Sequence, residues 1–241
     1  PMDSTVWLGM GLCQLQAGRN GEAMRSIAKA IEHDDRNDAA HTALAFIYLN
    51  NGQVQQAAPH FDAAAKANRR NAEAHAGLGI SYYQLGNMPK AADALRAAVR
   101  LNSETPDTYY YLAESEFALA NFHACEVACR RAIELDNNQA RYHFLLGKFL
   151  MTFGGNLEEA VDELQLAIKL PNPQPDYYPT YATAMSLTGQ DEQAVAVLKS
   201  AIDRWPSNPA LHFFLGYTLS NQGRFQDAML HLQTADALQP Q

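Results

Sequence analysis

The residues of this chain best equipped for chemistry are eight histidines, three cysteines and 26 carboxylates among 241 residues. A metal site would need them clustered, because zinc takes four N, S or O ligands in a tetrahedron. No His-x-x-x-His pair occurs. His41, His75, His143 and His212 are separated by whole repeats, which spreads them along the chain and gives each a packing role; His60 and His231 share a second slot of the same kind. Cys125 and Cys129 stand one helical turn apart, yet two thiolates do not complete a tetrahedral site. Both occupy slots that other repeats fill with alanine or leucine, as expected of free cysteine acting as a small buried hydrophobe. There is no glycine loop to cradle phosphate and no Gly-x-Ser-x-Gly elbow. These readings predict no cofactor, no metal and no active site: the chain is read as something other than an enzyme.

Composition narrows the partners. With 47% apolar and 18% charged residues the chain is too apolar for disorder. A net charge of −8, without long like-charge runs, argues against nucleic acid or an anionic membrane surface, which are gripped through lysine and arginine. No run approaches the roughly 18 apolar residues needed to cross a bilayer, so direct membrane insertion is not expected. Three cysteines suit a reducing compartment, while export of a longer precursor stays open.

The elements that must position any site are set by a period. Small residues recur at Gly11, Ala45, Gly79, Ala113, Gly147, Ala182 and Gly216, with intervals of 34 residues and one of 35. A second series, Ala30, Ala64, Ala98, Ala132, Ala167, Ala201 and Ala235, keeps the same step and the same slip. Breakers sit between at Gly18, Gly52, Gly86, Ala120, Gly154, Gly189 and Gly223, where a helix C-terminus needs a residue tolerant of left-handed dihedrals. Each unit therefore reads as helix, tight turn, helix and a short polar junction such as Asn68 to Asn71. Pro106, Pro175 and Pro209 are expected to open first helices and Pro89 a second helix. Pro59 falls inside a second helix and is expected to kink it or free a carbonyl. The small residues allow helix axes to approach within about 8–10 Å. Unit five carries an extra residue at Gly154-Gly155, and the prolines from Pro171 to Pro179 make its junction with unit six the least regular.

The pattern resembles the tetratricopeptide repeat family over the whole chain. It can be read in Ala74, His75, Leu78, Gly79 and Tyr82, followed by Ala91, Leu95 and Ala98; the family's terminal proline survives only as Pro206 and Pro240. The resemblance implies an all-α fold, an α-solenoid wound as a right-handed superhelix of seven helix-turn-helix units, about 14 helices in all. The units are 4–37, 38–71, 72–105, 106–139, 140–174, 175–208 and 209–241, read as one continuous solenoid. The sequence opens on Pro1 and stops at Gln241 without a polar capping element, which reads as a piece of a longer protein or as ends buried by self-association.

The family geometry implies a concave groove lined by first helices. Its facing positions here are Leu8, Leu12, Phe46, Ile80, Tyr83, Tyr110, Glu114, Phe117, Arg141, Phe144, Lys148, Phe213 and Tyr217, mostly apolar and aromatic. Exposed aromatic surface of this kind suggests a partner; Leu49, Tyr83 and Phe117 alternatively pack against the adjacent helix. The lining lacks the basic carboxylate clamp of chaperone-cofactor repeats, since the matching slots hold Leu8, Leu12, Thr42, Phe46, Glu73 and Gly77. It also lacks the asparagine ladder of glycosyltransferase arms, whose slots here hold Ala43, Gly77, Tyr111, Leu145 and Phe214. The expected function is a non-catalytic scaffold binding an extended or helical segment of another protein. The alternatives are a substrate-recruiting arm of a larger enzyme or envelope or secretion assembly, and a solenoid that self-assembles through uncapped ends.

Overall fold

The structure, a computed structural model, describes residues 3–238, which contain fourteen α-helices, one π-helical turn and no strand. Expectations that fell on Pro240 lie outside the described residues. The helices form two compact units that divide after Leu135. The N-terminal unit holds four pairs: α1 (Ser4–Gln16) with α2 (Asn20–His33), α3 (Asp38–Asn50) with α4 (Val54–Ala67), α5 (Ala72–Gln84) with α6 (Met88–Arg100), and α7 (Pro106–Ala118) with α8 (Phe122–Leu135). The C-terminal unit holds three: α9 (Ala140–Phe149) with α10 (Leu157–Lys169), α11 (Tyr177–Leu187) with α12 (Asp191–Arg204), and α13 (Pro209–Asn221) with α14 (Phe225–Ala237). Within each unit a second helix also packs on the first helix of the next pair, and in the N-terminal unit successive first helices touch.

The small residues make that packing possible. Ala23, Ala57, Ala91, Ala30, Ala64 and Ala98 are completely buried. A Cβ added at Gly77 would lie 2.3 Å from Cε1 and Cζ of Phe61. Phe61 is itself fully buried and meets Phe46 edge-on at 4.9 Å, so the absent side chain leaves room for the ring that supports Phe46.

The first two junctions are built by asparagine. Asn37 and Asn71 each accept from a backbone N–H of the helix they precede, at 2.9 Å from Ala40 and Ala74, which satisfies a donor the first turn leaves free. Their amide nitrogens reach back to the preceding pair, Asn37 to Ser4 Oγ at 2.7 Å and Asn71 to Asp38 at 2.8 Å. One side chain thus caps a helix and fixes the step between repeats.

Two sequence expectations need correction. The left-handed breaker of unit five is Gly155 (φ 68°), one residue later than Gly154, because the extra residue is absorbed upstream in a π-helical turn, Leu150–Gly154. A π turn closes i to i+5, so it takes one more residue into a helix and leaves the downstream register intact. Pro175 opens no helix: α11 begins at Tyr177 after a non-helical stretch of residues 170–176. Pro59 leaves α4 continuous and frees the carbonyl of Gln55, one of the two outcomes expected of it; both residues face solvent. Ala120 takes the left-handed slot at φ 58° despite its Cβ. Among the described residues no helix is long and apolar enough to cross a membrane.

The histidines staple helix pairs together. His41 Nε2 lies 3.1 Å from the Asp35 carbonyl and must donate to it, so in the neutral pair its Nδ1 accepts from His60 Nδ1 at 3.0 Å. His212 repeats the arrangement with the Pro206 carbonyl and His231 at 3.0 and 3.2 Å. Burial first, then the facing histidine, holds His60 and His231 below the usual imidazole range. Lys199 adds to the effect at His231 and Asp227 opposes it. His143 differs, since its Nδ1 meets Glu163 at 2.7 Å; burial pulls its pKa down, but the bonds to Glu163 and the Asn137 carbonyl outweigh it and the net shift is upward.

Gly77→Ala is expected to lower the denaturation free energy by about 1–3 kcal/mol through overpacking against Phe61, although alanine is the better helix former. An unchanged urea midpoint would show that the ring yields. The depressed His60 and His231 contribute stability that is present above pH 6.5 and lost as pH falls through their folded values, whereas His143 contributes below 6.5 and loses that as pH rises. Stability should therefore drop between pH 7.5 and 5.5; His60→Gln should flatten that drop and His143→Gln steepen it, read from denaturation midpoints at both pH values.

Candidate functional site

The first helices present the expected groove residues, and in the N-terminal unit the structure brings several together. Residues of α1, α3 and α5, with the cap Asn71, enclose a cavity of about 510 Å³. Leu12, Leu15, Ala43, Phe46 and Ile47 give it apolar walls, and Thr42, Asn50, Asn71 and Glu73 add polar groups. Leu12 is 43% exposed, so the wall is open to solvent. Leu8 sits beside it, half-buried on the cluster of Ile27, Leu44 and Ile47. Leu15, Asn50 and Asn71 were not on the expected lining. Their contribution depends on the register between neighbouring first helices, which one repeat read alone does not contain.

The second assembly lies where α5 meets α7. Glu114 accepts hydrogen bonds from Tyr83 at 3.3 Å and Tyr110 at 3.2 Å. Tyr111 packs against both phenol rings, with centroids 5.1 and 5.2 Å apart. Burial, reinforced by the Glu114 charge and hydrogen bond, pushes the Tyr83 phenol up to about 12, so it stays a neutral donor. Tyr83 thus packs on the next first helix and is half-buried there, as are Ile80 and Phe117 on α5 and α7.

In the C-terminal unit the expected residues are more dispersed. Phe144 stacks on Tyr177 at 4.2 Å, and Arg141 lies 5.2 Å over the Tyr142 ring. Lys148 is exposed. Phe213 (48% exposed) meets Phe214 edge-on at 5.5 Å. Tyr217 (56% exposed) borders a separate recess of about 320 Å³ with Thr183, Ser186 and Asp191.

Among the described residues no group of three or more histidine, cysteine or acidic side chains has metal-site geometry. Cys125 and Cys129 are buried, and the hydrogen bond between them, with burial, pushes the Cys129 thiol well up. A thiol kept protonated in this way is a poor nucleophile and ligand. Sequence reasoning missed Glu116. It is 1% exposed and accepts from Arg96 Nε and Nη2, both at 2.7 Å, and from Asn121 at 2.7 Å, a buried charge that ties α6 to α7 rather than a catalytic acid.

Comparisons with known proteins agree with this geometry. Tetratricopeptide repeat profiles match residues 42–107 and 188–241. No curated protein matches the sequence. Among solved structures, YrrB, a TPR protein with an unusual peptide-binding site, superposes with a TM-score of 0.65 at 23% identity, covering 75% of this chain and 92% of its own. PilF of Pseudomonas aeruginosa gives 0.69 at 18% identity over 84% of this chain and 92% of its own. A tetratricopeptide repeat protein from Parabacteroides merdae gives 0.64 at 18% identity over 98% and 93%. At such identities the likeness speaks for the fold. With the 34-residue period, the paired helices and the profile matches, it places the chain in the tetratricopeptide repeat family.

Proposed function

We propose that the chain is a non-catalytic interaction scaffold whose first helices receive an extended or helical segment of another protein. The observation that carries this reading is the open apolar cavity of about 510 Å³ built by α1, α3 and α5. Its size suits one large apolar side chain with its neighbours, and a pocket with apolar walls and a few polar groups is the usual form of a binding site. Phe46 is set by Phe61 beneath it, so the wall is rigid before a partner arrives and less order has to be imposed on binding. YrrB, described by its peptide-binding site, supports the same use of the fold.

A second reading, self-association, is favoured by α14. Phe225 is 66% and Leu230 63% exposed, and Met229 and Leu232 border a further recess of about 470 Å³. A surface of that kind on a soluble chain invites an apolar partner.

The groove reading is tested by panning a phage-displayed library of random 16-residue peptides on the intact chain and titrating the selected peptides by fluorescence anisotropy. Ala43→Trp, which fills the cavity, should weaken them at least tenfold, about 1.4 kcal/mol; equal affinity for both proteins would reject the cavity as the site. For the second reading, light scattering should show a mass that rises with concentration in the wild type and stays monomeric in Met229→Glu/Leu230→Glu. A monomer mass throughout for the wild type rejects it.

A further inference from the structure

The N-terminal unit sorts its charges by helix. Its first helices carry Asp38, Glu73, Asp107, Glu114 and Glu116 and no lysine or arginine, whereas its second helices carry eight lysines and arginines beside six acids. Two of the five carboxylates serve the fold: Glu116 is held by Arg96, and Asp38 accepts from Asn68 and Asn71. Glu73 is exposed at the rim of the apolar cavity. Glu114 is held by two phenols, and a neutral donor fixes a carboxylate in place without cancelling its charge. The C-terminal unit has the opposite sign, its first helices carrying Arg141 and Lys148 and no acid. The acidity therefore belongs to one unit's binding face and is not a diluted image of the net charge.

An apolar cavity with Glu73 at its rim and Glu114 on the next first helix discriminates. An acidic segment, or one anchored by its terminal carboxylate, would bring like charge to Glu73 and Glu114, and such juxtaposition is costly where water is partly excluded. A cationic side chain is favoured instead, because it pairs with the carboxylates.

We propose that the N-terminal unit takes a cationic amphipathic polypeptide segment: one large apolar side chain seated between Leu12 and Phe46, and lysine or arginine side chains against Glu73 and Glu114. This rests on the groove reading above and names the chemistry of its partner. The apolar anchor holds the segment, while Glu73 and Glu114 set which segments arrive and make the association sensitive to salt.

The probes are two synthetic 16-residue peptides with the same leucine pattern, one with lysine and one with glutamate at every polar position. The lysine peptide should bind at least tenfold more tightly. Glu73→Gln/Glu114→Gln, which keeps shape and hydrogen-bond acceptors, should weaken it at least fivefold. Glu32→Gln/Glu134→Gln removes the same net charge from second helices and should leave affinity unchanged; an equal loss there would reduce the effect to general attraction and overturn the proposal. So would a glutamate peptide that binds as tightly. If such binding is still lost in Ala43→Trp, the groove survives and only its charge preference fails. If neither peptide responds to Ala43→Trp, both readings fail together.

Discussion

The structure depends on the distance between paired helices. Where α5 crosses α6, a Cβ on Gly79 would stand 2.4 Å from Leu95 Cγ, and Leu95 is fully buried with no room to retreat. The same geometry recurs at Gly11 against Ile27, Gly147 against Leu164 and Gly216 against Leu232. Each contact pulls two helices together until the larger partner's side chain fills the space that the small residue leaves. A crossing fixed this tightly also fixes which way the remaining faces point. The first helix of each pair is left with one face that its own partner does not cover.

What fills or leaves open that face decides the function. Between α1, α3 and α5 the side chains are short at Ala39, Thr42 and Ala43, and a cavity results. Between α5 and α7 they are tyrosines and a glutamate, and the space closes into a hydrogen-bonded cluster. The backbone plan is the same in both places, so the difference lies in side-chain volume at equivalent turns of the helix. Repeat architectures separate the residues that build the stack from the residues that meet a partner, and the second set is free to vary without cost to the first.

The same division governs how much of this was legible in the sequence. The period, the turn glycines, the buried alanines and the inert cysteines all depend on one repeat at a time, and each could be read from spacing. Contacts between helices could not. His41 and His60 occupy recognisable slots, but that their Nδ1 atoms face one another depends on how α3 lies on α4. Glu116 has the look of one more polar residue of a first helix; only the fold brings Arg96 and Asn121 to converge on it. The extra residue of unit five was visible as a slip in the count, yet its place was not, because an insertion in a turn and a π turn in the preceding helix give the same spacing. The π turn leaves the breaker to Gly155 and keeps Gly147 against Leu164.

The charge pattern extends this reasoning. Ion pairs such as Lys66 with Asp62 and Arg130 with Glu126 join residues of a single second helix, and exposed pairs of that kind add little to stability. Balancing charge within the second helices therefore does little to hold the fold and leaves the first helices free of any need for cations. In the N-terminal unit Lys29 and Lys90 lie over the rings of Trp7 and Tyr82, whereas Arg96 reaches from α6 to the buried Glu116, where an unpaired carboxylate would be costly. Arg96 thus pairs with the first-helix carboxylate that cannot reach water. Glu73 and Glu114 are left to solvent, or to the side chains of another chain.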